Sequence, residues 1–184
     1  MLLSTYQMPV LPGLDTPRDV YFALTDPAPL AGMAYPSWSP LWDNLYQAGL
    51  RHIVCLTADA FPYDPAPLRP LLATRLEDLL GQHRPKDPAA EGPKVLRAAA
   101  AVARAIAGGQ GVVVHCAGGT GRTGTVLGCS LRLLGYPATE VVHWLDQLNH
   151  ERGMGGWPEA AWQASVVEGI ADGAAIRRPT RGGS

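Results

Sequence analysis

The amino-acid sequence predicts an α/β fold: a central, partly parallel sheet flanked by helices. Three observations lead there. Two short β-branched runs, Ile53-Val54-Cys55-Leu56 and Val112-Val113-Val114, are apolar on both faces, as strands buried inside a parallel sheet are. Segments of helical periodicity lie between and after them, and strands alternating with helices pack as a layered α/β domain. Glycine and proline clusters punctuate the chain where one element should give way to the next.

Composition supports one folded domain. A length of 184 residues is enough for a sizeable core, and 47% hydrophobic against 17% charged residues describes a globular chain rather than a disordered one. The net charge of −1 gives no electrostatic case for nucleic acid or an anionic membrane as partner, and the positive charge is nearly all arginine, 13 Arg against 2 Lys. Three cysteines without paired spacing make no disulfide framework and suit a reducing cytoplasm, the expected location. The start, Met1-Leu2-Leu3-Ser4-Thr5, lacks the basic and apolar regions of a signal peptide, and no uncharged apolar run approaches the ~18 residues of a membrane span. A monomer is the expected state.

Taken in order, residues 1–20 carry Pro9, Pro12, Gly13 and Pro17 and read as an irregular lead-in to a single domain over 21–173. Leu30–Pro36 is a short strand and turn. Ser39-Pro40 opens a helix through about Gly49, with serine as N-cap and proline at the first helical position. Arg51–Thr57 is a buried strand. A proline-rich loop over 58–70 leads to a further strand at Leu71–Glu77. Asp87-Pro88 looks like the cap and first residue of an alanine-rich helix ending at Gly108-Gly109. Gly92-Pro93 disturbs its first turns and allows a regular start as late as Pro93. After the Val112–Val114 strand and a glycine-rich loop comes a helix from about Arg122 to Leu134, closed by Gly135. Two more helices are expected near 138–150 and 158–172, and residues 174–184 read as a disordered tail.

The chemistry concentrates in His115-Cys116-Ala117-Gly118-Gly119-Thr120-Gly121-Arg122-Thr123. A C-x5-R spacing alone is weak; its setting makes it specific. The cysteine ends a strand, three of the next five residues are glycine, and a helix begins at the arginine. Such a turn directs successive backbone N–H groups at an anion, aided by the positive end of the helix dipole. Glycines keep side chains out of the anion's approach and allow positive φ. The same amides and dipole favour a thiolate at Cys116. Arg122 can grip two oxygens of a phosphoryl group, as lysine cannot. Thr123 is placed to hydrogen-bond the sulfur when it leaves. Ala117, Gly118, Gly119, Thr120, Gly121 and Arg122 are thus the candidate phosphate-binding residues.

The segment His115–Thr125 resembles the signature loop of the protein tyrosine phosphatase superfamily, in particular its compact dual-specificity branch. The likeness runs from about Leu30 to Gly169, through Leu30-Ala31-Gly32 before Tyr35-Pro36 and through Gly49–Leu56. The resemblance implies the phosphotyrosine-phosphatase fold and a phosphomonoester hydrolase that uses neither metal nor other cofactor. Cys116 would attack phosphorus, Arg122 would hold the phosphoryl group, and an aspartate would protonate the leaving oxygen and then serve as base. His115 matches the family histidine that orients the loop.

Two aspartates compete for the acid. Asp78, in Leu76-Glu77-Asp78-Leu79-Leu80-Gly81, follows a predicted strand and precedes Pro85, as the family's acid loop does. Asp87 lies 29 residues before Cys116 (116 − 87), a common family separation, but an aspartate before proline is also a natural helix cap. Asp78 is favoured, with Asp87 the alternative; Asp59 and Asp64 follow the earlier strand. Trp157-Pro158-Glu159-Ala160-Ala161-Trp162-Gln163 resembles the family segment that orients the hydrolytic water, which makes Glu159 and Gln163 candidates, although alanine stands at 160 where the family has threonine.

Gly119–Gly124 also fits G-x-G-x-x-G, the dinucleotide fingerprint. That motif requires a second strand ending in an acid ~20 residues on, and here Glu140 falls in a segment of helical spacing. A bare phosphate-binding module would need neither Cys116 nor Arg122. Members of the resembled superfamily that dephosphorylate inositol lipids often carry lysine where Ala117 and Thr120 stand, so the resemblance implies phosphotyrosine or broader phosphoprotein substrates and not polyphosphoinositides. Cys55 ends the strand expected beside Val112–Val114, which makes it a candidate redox partner for Cys116.

Overall fold

The structure is a computed structural model, and it describes residues 9–36, 42–172, 174 and 176. Five strands form one sheet: β1 (Val20–Leu24), β2 (Leu30–Met33), β3 (Leu50–Cys55), β4 (Arg69–Ala73) and β5 (Gly111–His115). Their spatial order is β1-β2-β5-β3-β4. β1 runs antiparallel to β2, while the β2–β5, β5–β3 and β3–β4 pairs are parallel. The helices are α1 (Trp42–Gln47), α2 (Pro88–Ala107), α3 (Gly121–Leu133), α4 (Ala138–Glu151) and α5 (Ala161–Glu168).

Strand alternation divides the core. Val54, Val112 and Val114 face one way, into a cluster with Ala98, Val102 and Ile106 of α2, Leu127 of α3, Leu145 of α4 and Val167 of α5. Ile53 and Val113 face the other way and pack with Leu45 of α1 and Leu11 of the lead-in. β5 is buried along its whole length because both faces are covered, which is why its sequence is an unbroken apolar run. No helix among the described residues is long and apolar enough to cross a membrane.

Several elements differ from the sequence reading. β1 was not expected, although Val20-Tyr21-Phe22 is rich in strand formers; it adds an antiparallel edge, fastened by Trp144 Nε1 donating to Ala23 O at 3.0 Å. Ser39 and Pro40 lie outside the described residues, and the helix there is described from Trp42. β4 begins at Arg69 rather than Leu71, since an edge strand tolerates Pro70. Beyond Ala73 the chain still follows β3, with Thr74 N donating to Cys55 O (2.9 Å) and Leu76 N to Leu56 O (3.1 Å). α2 starts at Pro88 and carries Pro93 inside, forgoing one backbone bond on a turn whose would-be acceptor, Ala89, is exposed to water. α5 covers only Ala161–Glu168, so Glu159 precedes the helix instead of riding on it.

Candidate active site

β5 delivers His115 and Cys116 to the C-terminal edge of the sheet, and the loop that follows turns directly into α3. From Cys116 to Gly121 every backbone carbonyl has a donor. Cys116 O receives His115 Nδ1 (3.3 Å), Ala117 O the Tyr35 amide (2.9 Å), and Gly118 O the Arg152 Nη2 (3.4 Å). Gly119 O receives both the Tyr21 hydroxyl (2.7 Å) and Arg152 Nη1 (3.1 Å). Thr120 O receives the Gly124 amide (2.7 Å), and Gly121 O the Thr125 hydroxyl (2.8 Å). A peptide whose carbonyl is held on one side presents its N–H on the other, so this backbone forms an anion nest at the start of a helix. Gly119 donates to Cys116 Sγ at 3.2 Å. Only glycine fits there: its φ is +74°, and a Cβ would lie 2.6 Å from the Met33 carbonyl carbon.

Within the nest Cys116 is nearly fully buried. Arg122 Nε and the Thr123 hydroxyl are buried polar atoms to which the protein offers no partner. The unpartnered Arg122 Nε fits an anion held at the loop, and the Thr123 hydroxyl is left free to donate to another acceptor there. Ala117 and Gly118 form the exposed lip of the loop. Thr120 does not line the site with its side chain: its hydroxyl is buried and lies 3.5 Å from Arg152 Nη1, so only its backbone can meet an anion.

Arg122 Nη2 donates to Asp78 Oδ2 at 2.9 Å, with the arginine side chain 11% and the aspartate 64% exposed. The tertiary fold thus brings Asp78 to the nest. Asp87 is elsewhere employed, its Oδ1 accepting from the Ala90 amide (3.1 Å) as the cap of α2. The segment bearing Asp78 is tied at both ends. Buried Glu91 accepts from the Glu77 amide (2.6 Å), and Gly81 N donates to Glu159 O (2.7 Å) while Gly81 O accepts from Ala161 N (3.2 Å).

Glu159 and Gln163 both reach Gly121. A Cβ at that glycine would stand 2.1 Å from Glu159 Oε2 and 2.7 Å from Gln163 Nε2. The half-buried Glu159 carboxylate accepts from the Gly121 amide, so that one nest donor is taken. Burial pushes its pKa up and nearby Asp78 adds to this, while the Gly121 N–H, Arg122 and Arg152 oppose the shift. Gln163 is buried, and its Oε1 accepts from the Glu159 and Ala160 amides (2.9 and 3.1 Å). Its Oε1 thus braces the backbone at Glu159, while its Nε2 stays directed towards Gly121.

With the geometry in hand, comparison with known proteins decides the family. The family described as the Swiss Army Knife protein, DSP-PTPase phosphatase domain, matches residues 19–155. The chain belongs to this phosphatase family. Among solved structures, this phosphatase is similar to Tk-PTP in its active form, at 20% identity over 77% of this chain and 90% of that one, with a TM-score of 0.53. It is also similar to the core catalytic domain of the PP-IP phosphatase SIW14 from S. cerevisiae, solved with citrate, at 16% identity over 78% and 82% of the two chains and a TM-score of 0.50. At these identities the two structures speak for the fold.

Behind the phosphatase loop the sheet places Cys55 opposite His115 in register. Alternation puts both on the face of Ile53 and Val113, whereas Cys116 packs with Val54 and Val114 on the other. Cys55 Sγ lies 3.4 Å from the Thr57 hydroxyl and is hydrogen-bonded with Tyr63. For the candidate redox partner Cys55 the strands are thus neighbours but the side chains lie on opposite faces of the sheet, and Cys55 and Cys116 are both free thiols. His115 is fully buried, and burial holds its pKa down at about 4. Its Nδ1 faces a carbonyl, which can only accept, so Nδ1 carries the proton and Nε2 accepts from the Tyr63 hydroxyl.

The sequence reading missed Tyr21, Tyr63, Glu91 and Arg152. None sits in a motif, and each acts on the phosphatase site from a distant element. In the fold Tyr63 sits in an aromatic group, with Trp42 stacked on its ring at 5.8 Å and Phe61 edge-on at 5.9 Å, contacts that no local sequence pattern announces.

Proposed function

We propose that this phosphatase hydrolyses phosphomonoesters on proteins, phosphotyrosine foremost, through a phosphocysteine intermediate. In this reading the Cys116 thiolate attacks phosphorus; the S–P bond forms as the bond to the leaving oxygen breaks, and the Asp78 carboxylic acid gives that oxygen its proton. Arg122 and the nest amides balance charge on the equatorial oxygens. Asp78, now a carboxylate, takes a proton from water as the water oxygen attacks phosphorus. The S–P bond breaks, with the Thr123 hydroxyl donating to the departing sulfur. Glu159, held by Gln163, orients that water.

The observation that carries the proposal is the set of outward-held carbonyls from Cys116 to Gly121, with the sulfur, the unpartnered Arg122 Nε and the Asp78 carboxylate gathered at the loop they shape. The phosphoprotein reading is supported by the exposed lip, where Ala117 and Gly118 add no cation for a polyphosphorylated ligand such as that of the PP-IP phosphatase. Turnover of p-nitrophenyl phosphate, with and without chelator, tests the reaction. Wild type is expected active in both, and Cys116→Ser inactive while still binding vanadate. Arg122→Lys is expected to be severely impaired, because a point charge cannot replace the planar fork. Retained turnover in Cys116→Ser overturns the mechanism. Release of phosphate from a phosphotyrosine peptide, run beside an inositol pyrophosphate, assigns the substrate class.

A further inference from the structure

The nest needs something to keep its carbonyls out, and two consecutive glycines make that requirement acute. The peptide between Gly118 and Gly119 carries the amide that reaches Cys116 Sγ at 3.2 Å. The next peptide carries the Thr120 amide. Glycine has access to both signs of φ, so these two planes can rotate more readily than any others in the loop. A rotated plane would put a carbonyl oxygen where an anion must sit.

We propose that Arg152, with Tyr21, is the positioning residue that locks these two peptide planes, so that the Gly119 and Thr120 amides face the phosphoryl group. The guanidinium spans both carbonyls from behind, Nη2 to Gly118 O at 3.4 Å and Nη1 to Gly119 O at 3.1 Å. The Tyr21 hydroxyl adds a second bond to Gly119 O at 2.7 Å. Arg152 is itself fixed in place. Its Nη1 donates to Asn149 Oδ1 at 2.6 Å, and its guanidinium carbon lies 4.2 Å from the centre of the Tyr21 ring. Asn149 is fully buried and anchored by its Nδ2 to Leu145 O at 2.8 Å. β2 makes room for this arrangement: a Cβ at Gly32 would stand 2.3 Å from Tyr21 Cζ, so a glycine there lets the tyrosine cross the strand to the loop. The two residues come from opposite ends of the domain, β1 and the C-terminus of α4, and touch the loop only from outside. Neither contacts the reacting atoms. They act through one peptide plane on the sulfur's hydrogen bond and through the next on the anion.

The inference rests on the reading of this loop as a phosphate-binding, catalytic one, and the test separates the two. In the full chain, Tyr21→Phe keeps the ring under Arg152 and removes one bond to Gly119 O; Arg152→Lys keeps a positive charge and loses the two-carbonyl fork. For each, kcat and KM for p-nitrophenyl phosphate and the competitive inhibition constant of inorganic phosphate are measured at a temperature where circular dichroism shows the variant fully folded. The phosphate constant is expected to rise about tenfold or more in Arg152→Lys and about threefold in Tyr21→Phe, in line with losing charged and neutral hydrogen bonds, with kcat/KM falling in parallel. A purely structural role would lower the melting temperature and leave these constants at wild-type values, and that result overturns the inference. Should Arg152→Lys not fold, an unchanged phosphate constant in Tyr21→Phe overturns it as well. A wild type that neither turns over substrate nor binds phosphate fails the phosphatase reading itself, and the inference with it.

Discussion

Arg122 and Asp78 meet through Nη2 and Oδ2 at 2.9 Å, joining the first turn of α3 to the segment after β4. The pair places a carboxylate at the rim of the anion nest, 44 residues away in sequence from the arginine it touches. In the proposed mechanism a phosphoryl group gripped by Arg122 would compete for that guanidinium and free Asp78 to face the leaving oxygen.

Asp78→Asn is accordingly expected to lower kcat about 10²–10⁴-fold for phenyl phosphate and less for esters with good leaving groups, which need little protonation. Asp87→Asn should leave kcat near wild type, because asparagine still caps α2. Asp87→Ala should cost about 1 kcal/mol of stability, read as a lower denaturant midpoint. Loss of activity in Asp87→Asn with Asp78→Asn unaffected would reverse the assignment.

Gly119→Ala is expected to abolish phosphate binding and destabilise the domain. The added methyl group would meet the Met33 carbonyl at 2.6 Å in a backbone conformation, φ +74°, that alanine seldom adopts. At Gly118 the added methyl group meets nothing within 4 Å, so Gly118→Ala should melt within a few degrees of wild type. Equal melting temperatures for the two variants would contradict the packing argument.

His115 gives a pH dependence of stability with a definite sign. Unfolded, its imidazole takes up a proton near ~6.5; folded, burial delays this to about 4. Between those values the unfolded state binds more protons, so His115 lowers stability as pH falls from about 6.5 towards 4. Urea midpoints for wild type and His115→Asn, compared across that window, should differ in slope, with the variant flatter. Parallel curves would show that the ring titrates alike in both states.

Peroxide treatment is expected to oxidise Cys116 without forming a bridge to Cys55. The sheet separates their side chains, and Cys55 is engaged with Thr57 and Tyr63. Cys129 is fully buried in α3, where burial pushes its thiol pKa up to about 12, and should stay reduced. A Cys55–Cys116 peptide found by mass spectrometry would refute this placement.

The sequence by itself determined the strand, the loop and the helix that carry Cys116 and Arg122. Their chemistry is local: a β-branched run, three glycines and a helix start are contiguous, so residue type and spacing already specify an anion nest. The cap at Asp87 was legible for the same reason, since its bond to Ala90 spans three residues. Tertiary structure alone decided the rest. Which aspartate reaches Arg122 depends on how the segment after β4 is tied to Glu91 and to the Gly81–Ala160 bridge. The face taken by Cys55 depends on the register of β3 against β5, in which one residue of slip would reverse it. Tyr21 and Arg152 hold the loop from 98 and 33 residues away, through buried carbonyls that any donor of suitable reach could satisfy. No local pattern names the partner of a backbone carbonyl; only the packed fold brings one within hydrogen-bonding distance.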